Sequence, residues 1–382
     1  MEPKTLQETK IPEYSLNTVY LYFSQYCNLK CRHCWIDPKF STEKTAKADE
    51  ADVKTIISAL EECRKLGMSS LKVTGGEPFL REDIFELLTY CKNNKISVNF
   101  ESNGTLITSR EAMALKEANV DGVSVSLDGP NTYVHTLLRK IDGSFEKAVE
   151  GIKALKNQDI NVQVIISLWR KNKDYIKPTI DLARSLGVDS VKINVISCVA
   201  RADKLSQDKE VLSVKEVIDF DRELKAELEK EPPFSVFFDI PPAFKPVENG
   251  KIGDMNCCGI MGILGILGDG RISICGIGNI KDSLVLGRIG QDSIEDIWNN
   301  HPVLLEIREN VPKNLQGVCG KCILRFYCLG KCRAEAYYNR GSLLAALSFC
   351  QKAYDEGLFP ASRLQDEIGL KGYEKEVAIS PA

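Results

Sequence analysis

The stretch Val19-Tyr-Leu-Tyr-Phe-Ser24, followed by Cys27-Asn-Leu-Lys-Cys31-Arg-His-Cys34, decides how this chain is read. The first part is a run of strand-forming residues. The second puts three thiols on one short loop with the spacing C-x3-C-x2-C. Three thiolates so placed can hold three corners of a cubane iron–sulfur cluster. No fourth cysteine lies nearby, so one iron would lack a protein ligand and could take a substrate or cofactor, as the open position of a catalytic zinc does. The expectation is a catalytic cluster rather than a simple electron carrier.

Beyond the loop, short apolar runs alternate with amphipathic stretches up to about residue 200. Strands are expected over 19–24, 70–74, 97–102, 122–126, 162–168 and 190–195. Helices are expected over 51–66, 82–93, 110–118, 145–156 and 174–186, with Gly67 and Gly187 as C-caps. Six such βα units predict parallel strands with helical crossovers, too few to close a standard eight-stranded barrel. The expected fold class is therefore α/β, a partial (β/α)6 TIM-like barrel followed by a small iron–sulfur domain. A further helix over 213–230 stops before Pro232-Pro233. The expected organisation is a tail (1–16), the barrel (17–232), a bridging region (233–253), a cysteine-rich domain (254–352), and a closing helix with a polar tail (353–382).

Composition narrows the function. The 382 residues carry a net charge of -3, which offers no attraction for nucleic acid or a membrane surface. The N-terminus lacks a secretory apolar segment and no apolar run is long enough to span a bilayer, so a cytoplasmic location is expected. Fourteen cysteines would suit a disulfide scaffold only in a short exported chain; here they favour metal or cluster binding. Three histidines (His33, His135, His301) disfavour a His-based zinc hydrolase.

After the second strand comes Thr74-Gly75-Gly76-Glu77-Pro78. The glycines permit close backbone approach to a ligand, and Glu77 can accept a hydrogen bond from an ammonium group, although an ordinary strand-to-helix turn would look the same. The cysteine triad with His33 inside it, followed by Gly-Gly-Glu-Pro, resembles the radical S-adenosylmethionine (SAM) superfamily over roughly residues 17–355. The resemblance implies that the amino and carboxylate groups of SAM chelate the unique iron. Reductive cleavage of SAM then yields a 5′-deoxyadenosyl radical that abstracts a substrate hydrogen. It assigns Gly75, Gly76, Glu77 and Pro78 to the methionine amino group, His33 to the neighbourhood of the adenine, and Arg139 to the carboxylate. Asn103, in Glu101-Ser-Asn-Gly-Thr105, matches the family's Thr-Asn-Gly segment. Ser126 and Asp128 match its Ser-x-Asp-Gly segment, where a capped turn is the plainer reading. Ala200-Arg-Ala202 is similar to the family's Gly-Arg-Ala but lacks the glycine.

The downstream cysteines resemble the SPASM extension of these enzymes, which carries two auxiliary [4Fe–4S] clusters and brings the total to three. A zinc ribbon is the simpler alternative, but the cysteines exceed one zinc site. The resemblance gives cluster I to Cys275, Cys332 and one or both of Cys257 and Cys258. Cluster II falls to Cys319, Cys322, Cys328 and Cys350. Adjacent cysteines point apart in an extended strand, so cluster I is expected either to keep an open iron or to use both through a strained turn. Cys63 and Cys91 read as buried small hydrophobes in helices. Cys198, after the sixth strand, reads as a buried barrel-end residue or as a hydrogen-atom donor like that of similar peptide epimerases.

SPASM-type resemblance implies a maturase acting on a ribosomal precursor peptide, installing a thioether or carbon–carbon crosslink. Peptide epimerisation and formylglycine formation are alternatives, and a non-catalytic iron–sulfur carrier is the alternative of another class. A flavodoxin or ferredoxin is the implied reductant. The short segment before the first strand implies a separate leader-peptide recognition protein or direct docking on the barrel.

Overall fold

Strand β1 (Thr18–Ser24) buries Val19, Leu21 and Phe23 completely and turns Tyr20 to the opposite face, the period of two that a half-polar strand shows. In this computed structural model, which describes residues 14–365 apart from 46, 249–250 and 253–257, β1 is an interior strand of a ten-stranded sheet. Beside it runs a separate two-stranded ladder, β2 (Tyr26–Cys27) with β3 (Lys39–Phe40). The sheet continues through β4 (Ser70–Gly75), β5 (Ser97–Ser102), β6 (Gly122–Ser126), β7 (Val162–Leu168) and β8 (Ser190–Val195). Each of these pairs in parallel with the next, as the six βα units require.

Two further parallel strands extend the set. β9 (Ser235–Asp239), from the segment expected to be only a bridge, pairs with β8. After a short hairpin, β10 (Val247–Glu248) with β11 (Lys251–Ile252), the chain returns as β12 (Ile263–Ile266) on the free side of β1, matching Leu21 with Ile266. The antiparallel strands β13 (Arg271–Ser273) and β14 (Val285–Arg288) follow. Among the described residues β9 and β14 do not pair, so the barrel stays open between them. The boundaries expected at 232/233 and 253/254 therefore do not separate the sheet. One apolar core runs from Leu16 through Leu71, Val98 and Val164 to Leu264, Trp298 and Phe359.

The crossovers are α1 (Val53–Lys65), α2 (Ile84–Asn93), α3 (Ser109–Glu117), α4 (Thr132–Arg139), α5 (Ser144–Lys156), α6 (Ile176–Ser185), α7 (Ala202–Gln207) and α8 (Val214–Leu228). Capping sets their starts. Asp52 accepts from Thr55 N at 2.9 Å, which moves the start of α1 two residues beyond the expected one. Thr108 with Glu111, and Ser213 with Glu216, form capping boxes for α3 and α8. Gly67 and Gly187 have φ of +108° and +73°, the left-handed geometry of a helix exit. The sequence reading missed α4 and α7, which are short. Among the described residues, no helix is long and apolar enough to cross a membrane.

Candidate functional site

The inward-facing positions of the parallel strands are polar. Tyr20 lies beside Lys72, whose Nζ is 2.6 Å from Glu101. Further round, Lys192 lies 3.7 Å from Asp239, which Lys331 reaches at 2.5 Å from the loop between Cys328 and Cys332. Lys72, Glu101, Lys192 and Asp239 keep between 23% and 32% exposure, so the lumen they line is open to solvent.

Above this layer, the strand ends gather the expected residues. Cys27 ends β2 and packs with Leu29 and Cys31, with Cys34 against them. Burial, and then the charge of neighbouring thiols, pushes the Cys34 thiol up to about 11 and Cys27 higher still. Two buried thiols and a half-buried third that disfavour one another as bare thiolates are suited to a shared cationic cluster, which takes them deprotonated. Cys27 Sγ accepts from Leu29 N at 3.4 Å and from Asn103 Nδ2 at 3.7 Å. Cys31 Sγ accepts from Arg139 Nη1 at 3.6 Å.

The glycines of the Gly-Gly-Glu-Pro segment serve the cysteine loop itself. A Cβ on Gly76 would lie 1.9 Å from Tyr26 O, and one on Gly75 2.7 Å from Ser24 O. That closeness lets Gly76 N donate to Ser24 O at 2.7 Å and Glu77 N to Tyr26 O at 2.8 Å. The expected ligand approach is thus preceded by a close approach of two chain segments. Pro78 starts a buried 3-10 turn, and Glu77 is fully buried. Its carboxylate accepts from Phe79 N, from Ser102 Oγ at 2.9 Å and from Asn103 N at 2.8 Å. Burial pushes it up to about 7 despite these bonds. Among the described residues no cationic side chain bonds it, and an ammonium group would meet that need.

Asn103 Oδ1 accepts from Thr105, and its amide donates to Asn28 Oδ1 at 2.8 Å. Asn28, Ser102 and Thr105 are parts of this network that sequence reading left out; the signal was their adjacency to Cys27 and Asn103. Ser126 stands at the end of β6, half-buried. Asp128 and Arg139, read separately from the sequence, meet in an ion pair: Arg139 Nε donates to Asp128 Oδ2 at 2.5 Å. Burial would raise Asp128, but Arg139, then His33 and His135, hold it below the usual carboxylate range. Asp128 Oδ1 also takes Ser167 N at 2.7 Å, locking β6 to β7. Backbone bonds from Lys30 and Arg32 to the end of α4 fasten the cysteine loop to this pair.

His33 Nε2 lies 3.2 Å from Ser167 Oγ, and its buried Nδ1 has no hydrogen-bond partner among the described residues. Burial, with Arg139 nearby, pushes its pKa down to about 3, so the ring is neutral at physiological pH. The carboxylate of Glu77, the guanidinium of Arg139 and this unpartnered ring nitrogen suit the ammonium, carboxylate and adenine of SAM. Ala200, where the similar motif has glycine, adopts φ of +53°, a conformation glycine tolerates better. Its neighbour Arg201 ties to Asp37 and donates to Pro38 O at 2.6 Å, closing the cysteine loop from above. Cys198 is half-buried on the loop after β8.

In the C-terminal part, Cys319, Cys322, Cys328 and Cys350 line one small apolar cavity with Val318, Leu324 and Phe359. Burial, then Cys319 and Cys322, pushes Cys328 up to about 12. Cys275 is pushed up by burial, then by Cys332 and Cys258, so both of these thiols lie near it. Cys257 lies outside the described residues. Among the described residues, no group of three or more His, Cys, Asp or Glu side chains closes tightly enough for a single metal ion. Four thiols around one apolar cavity suit a cluster with an iron at each corner.

The family models agree with this geometry: radical SAM superfamily over residues 21–193, and iron–sulfur cluster-binding (SPASM) domain over 257–323. The chain belongs to the radical SAM superfamily. It is an enzyme of the SPASM-containing kind, and SAM and iron–sulfur clusters are its cofactors. The AdoMet-dependent heme synthase of Methanosarcina barkeri is 27% identical, covering 85% of this chain and 93% of its own. The mycofactocin maturase of Mycobacterium tuberculosis is 25% identical, covering 82% and 77%. Streptococcus suis SuiB, solved with precursor peptide SuiA, superposes with a TM-score of 0.69 over 88% of this chain and 76% of its own, at 19% identity, which bears on the fold.

Proposed function

We propose that this radical SAM enzyme is a maturase that modifies a ribosomal precursor peptide, taking a hydrogen atom from a residue inside the barrel and installing a thioether or carbon–carbon crosslink. Cys27, Cys31 and Cys34 hold the SAM-binding cluster, and Glu77, Asn103, Ser126, Asp128, Arg139 and His33 surround SAM. When bound, SAM supplies the 5′-deoxyadenosyl radical. Two auxiliary clusters bring the total to three: Cys319, Cys322, Cys328 and Cys350 hold one, and Cys275, Cys332, Cys258 and Cys257 serve the other, either jointly or with an open iron.

The observation that carries the reading is the solvent-open polar lumen. Lys72, Glu101, Lys192 and Asp239 line it, and Tyr20, beside Lys72, lies within electrostatic reach of Cys258 and Cys275. A peptide side chain entering through the open edge between β9 and β14 would sit between the hydrogen-abstracting end and an electron-accepting end. Asp239, tethered by Lys331, is placed to take a proton from such a side chain.

A second reading is favoured by the heme synthase relatives, such as that of Methanosarcina barkeri, of whose length the match spans 93%. A tetrapyrrole would use Lys72 and Lys192 to hold carboxylates. The experiment is anaerobic reaction of the reconstituted enzyme with SAM, reductant and either a candidate precursor peptide or a carboxylated porphyrin, read by mass spectrometry. A peptide product two mass units lighter per bond supports the maturase; a changed porphyrin with unaltered peptide replaces it with the second reading.

A further inference from the structure

The loop Cys328-Leu-Gly-Lys-Cys332 joins the two groups of downstream cysteines. Leu329, Gly330 and Lys331 have φ of +51°, +69° and +56°, three left-handed residues in succession. Gly330 accepts this freely and lines the apolar cavity of Cys319, Cys322, Cys328 and Cys350. Lys331 does not: a side chain in that conformation is strained, and glycine would fit the backbone better. The side chain held there leaves the loop for the barrel. Lys331 N donates back to Cys328 O at 2.7 Å, while its Nζ donates to Asp239 Oδ1 at 2.5 Å.

Asp239 ends β9 at the lumen, and Lys192 approaches its other oxygen, Oδ2, at 3.7 Å. Burial would raise the Asp239 carboxyl, but Lys331, then Lys192 and Lys245, hold it below the usual carboxylate range. The same Lys331 ammonium acts on the cluster thiols. Burial and then neighbouring thiols push Cys328 and Cys350 up, and the cation that opposes both most strongly is Lys331. One charge, only 16% exposed, is thus shared between a lumen carboxylate and two of the four thiols. Water screens such a charge little, so a change on one side is felt on the other.

We propose that Lys331 is a positioning residue that couples proton uptake by Asp239 to electron uptake by the cluster on Cys319, Cys322, Cys328 and Cys350. The inference rests on that assignment of the four cysteines and on Asp239 as proton acceptor, not on which substrate enters the lumen. Once a hydrogen atom has been taken, the crosslink forms as the S–H or C–H bond of the partner atom breaks, releasing one proton and one electron. The proton goes to an Asp239 carboxylate oxygen, and the electron reduces the [4Fe–4S] cluster by one. Protonated Asp239 no longer answers the charge of Lys331, which then favours the added negative charge on the cluster. The linkage is reciprocal, so a reduced cluster also raises the proton affinity of Asp239.

The test uses the fully reconstituted enzyme without SAM or substrate, titrated reductively against redox mediators and followed by electron paramagnetic resonance. The signal followed is the one that Cys350→Ala removes. Asp239→Asn, which mimics the protonated carboxyl, should raise its midpoint potential by about 59 mV, a tenfold change in the one-electron equilibrium. Lys331→Met should lower the potential by a similar amount, and Lys331→Arg should keep the parental value. In the double variant, Asp239→Asn should add less than about a third of its single effect, because that effect runs through Lys331. An unchanged potential in Asp239→Asn overturns the proposal, and this variant leaves the cysteine loop intact even where Lys331→Met loads its cluster poorly. An Asp239→Asn shift of equal size with and without Lys331 overturns it too, as a direct effect of the carboxylate. A titration in which no signal depends on Cys350 would instead count against the cysteine assignment.

Discussion

The triad Cys27, Cys31 and Cys34 and the set Cys319, Cys322, Cys328 and Cys350 hold their thiols in opposite ways. The triad lies on one short loop with almost no regular structure of its own, held in place from outside. Gly76 and Glu77 clamp its start, Asn103 and Arg139 donate to its sulfurs, and the end of α4 binds its backbone. The downstream set is spread over short helices, 317–321, 325–328 and 348–355, around an apolar cavity. Preformed polar support suits a cluster that must exchange a cofactor during turnover. An apolar cavity closed by thiols from several segments suits a permanent one, whose binding also folds the segments.

The largest expected effect separates the two sites directly. Cys31→Ala should abolish reductive SAM cleavage, with iron content falling by about a third on the proposed count of three clusters. Iron and 5′-deoxyadenosine assays check this; retained cleavage would break the contrast. Cys350→Ala should instead lower the melting temperature strongly and remove the downstream cluster, while cleavage falls less than about tenfold. A variant as stable as the parent would show that the apolar cavity folds without its cluster.

Arg333 tests the downstream site at lower amplitude. It is fully buried, donating to Gly330 O, Leu343 O and Ala345 O beside Cys332. Arg333→Met should cost about 3 kcal/mol in denaturant titrations, since three carbonyls lose their donor. Glu77 sharpens the contrast from the other side. Its carboxyl, pushed up to about 7 by burial, still holds its proton below that pH in the folded protein, whereas the unfolded chain releases it near the ordinary value of 4.5. The folded state therefore binds more protons between pH 4.5 and 7, so this group makes stability without SAM fall as pH rises through that window. SAM binding, which favours the ionised form, should tighten over the same range. Glu77→Gln should flatten both dependences and weaken SAM binding by about tenfold or more, read by calorimetry. The smallest effect expected is that of Cys198→Ala, because a crosslinking oxidation needs no hydrogen donor; a changed product by mass spectrometry would revive the epimerase alternative.

Much of this was legible in the chain. Four of the six strands have the expected limits, and β1 and β4 differ by one residue at one end, because alternation of buried and inward-facing residues is strong in each. The thiol sets were legible because cluster ligation leaves a spacing. What escaped depends on contacts distant in sequence. β9 and β12 are short apolar runs with ordinary local propensity, and only their pairing with β8 and β1 makes them strands of the barrel. The Asp128–Arg139 pair required α4, a helix of only eight residues, short for its periodic pattern to stand out. The Lys192–Asp239–Lys331 group joins three segments, two of them outside the expected barrel. Gly75 and Gly76 were read toward a ligand because nothing local shows Tyr26 O against them.

The position of β12 has a consequence for how the chain is made. Strand β1, which leads into the cysteine loop, has an unpaired edge until residues near 263 have left the ribosome and returned to it. During synthesis that edge is a long, apolar template for the wrong neighbour. A chain stopped near residue 232 would keep the exposed edge permanently, so such a fragment should aggregate rather than serve as a portable radical-generating module. Grafts between relatives should carry 258–288 along with the N-terminal strands.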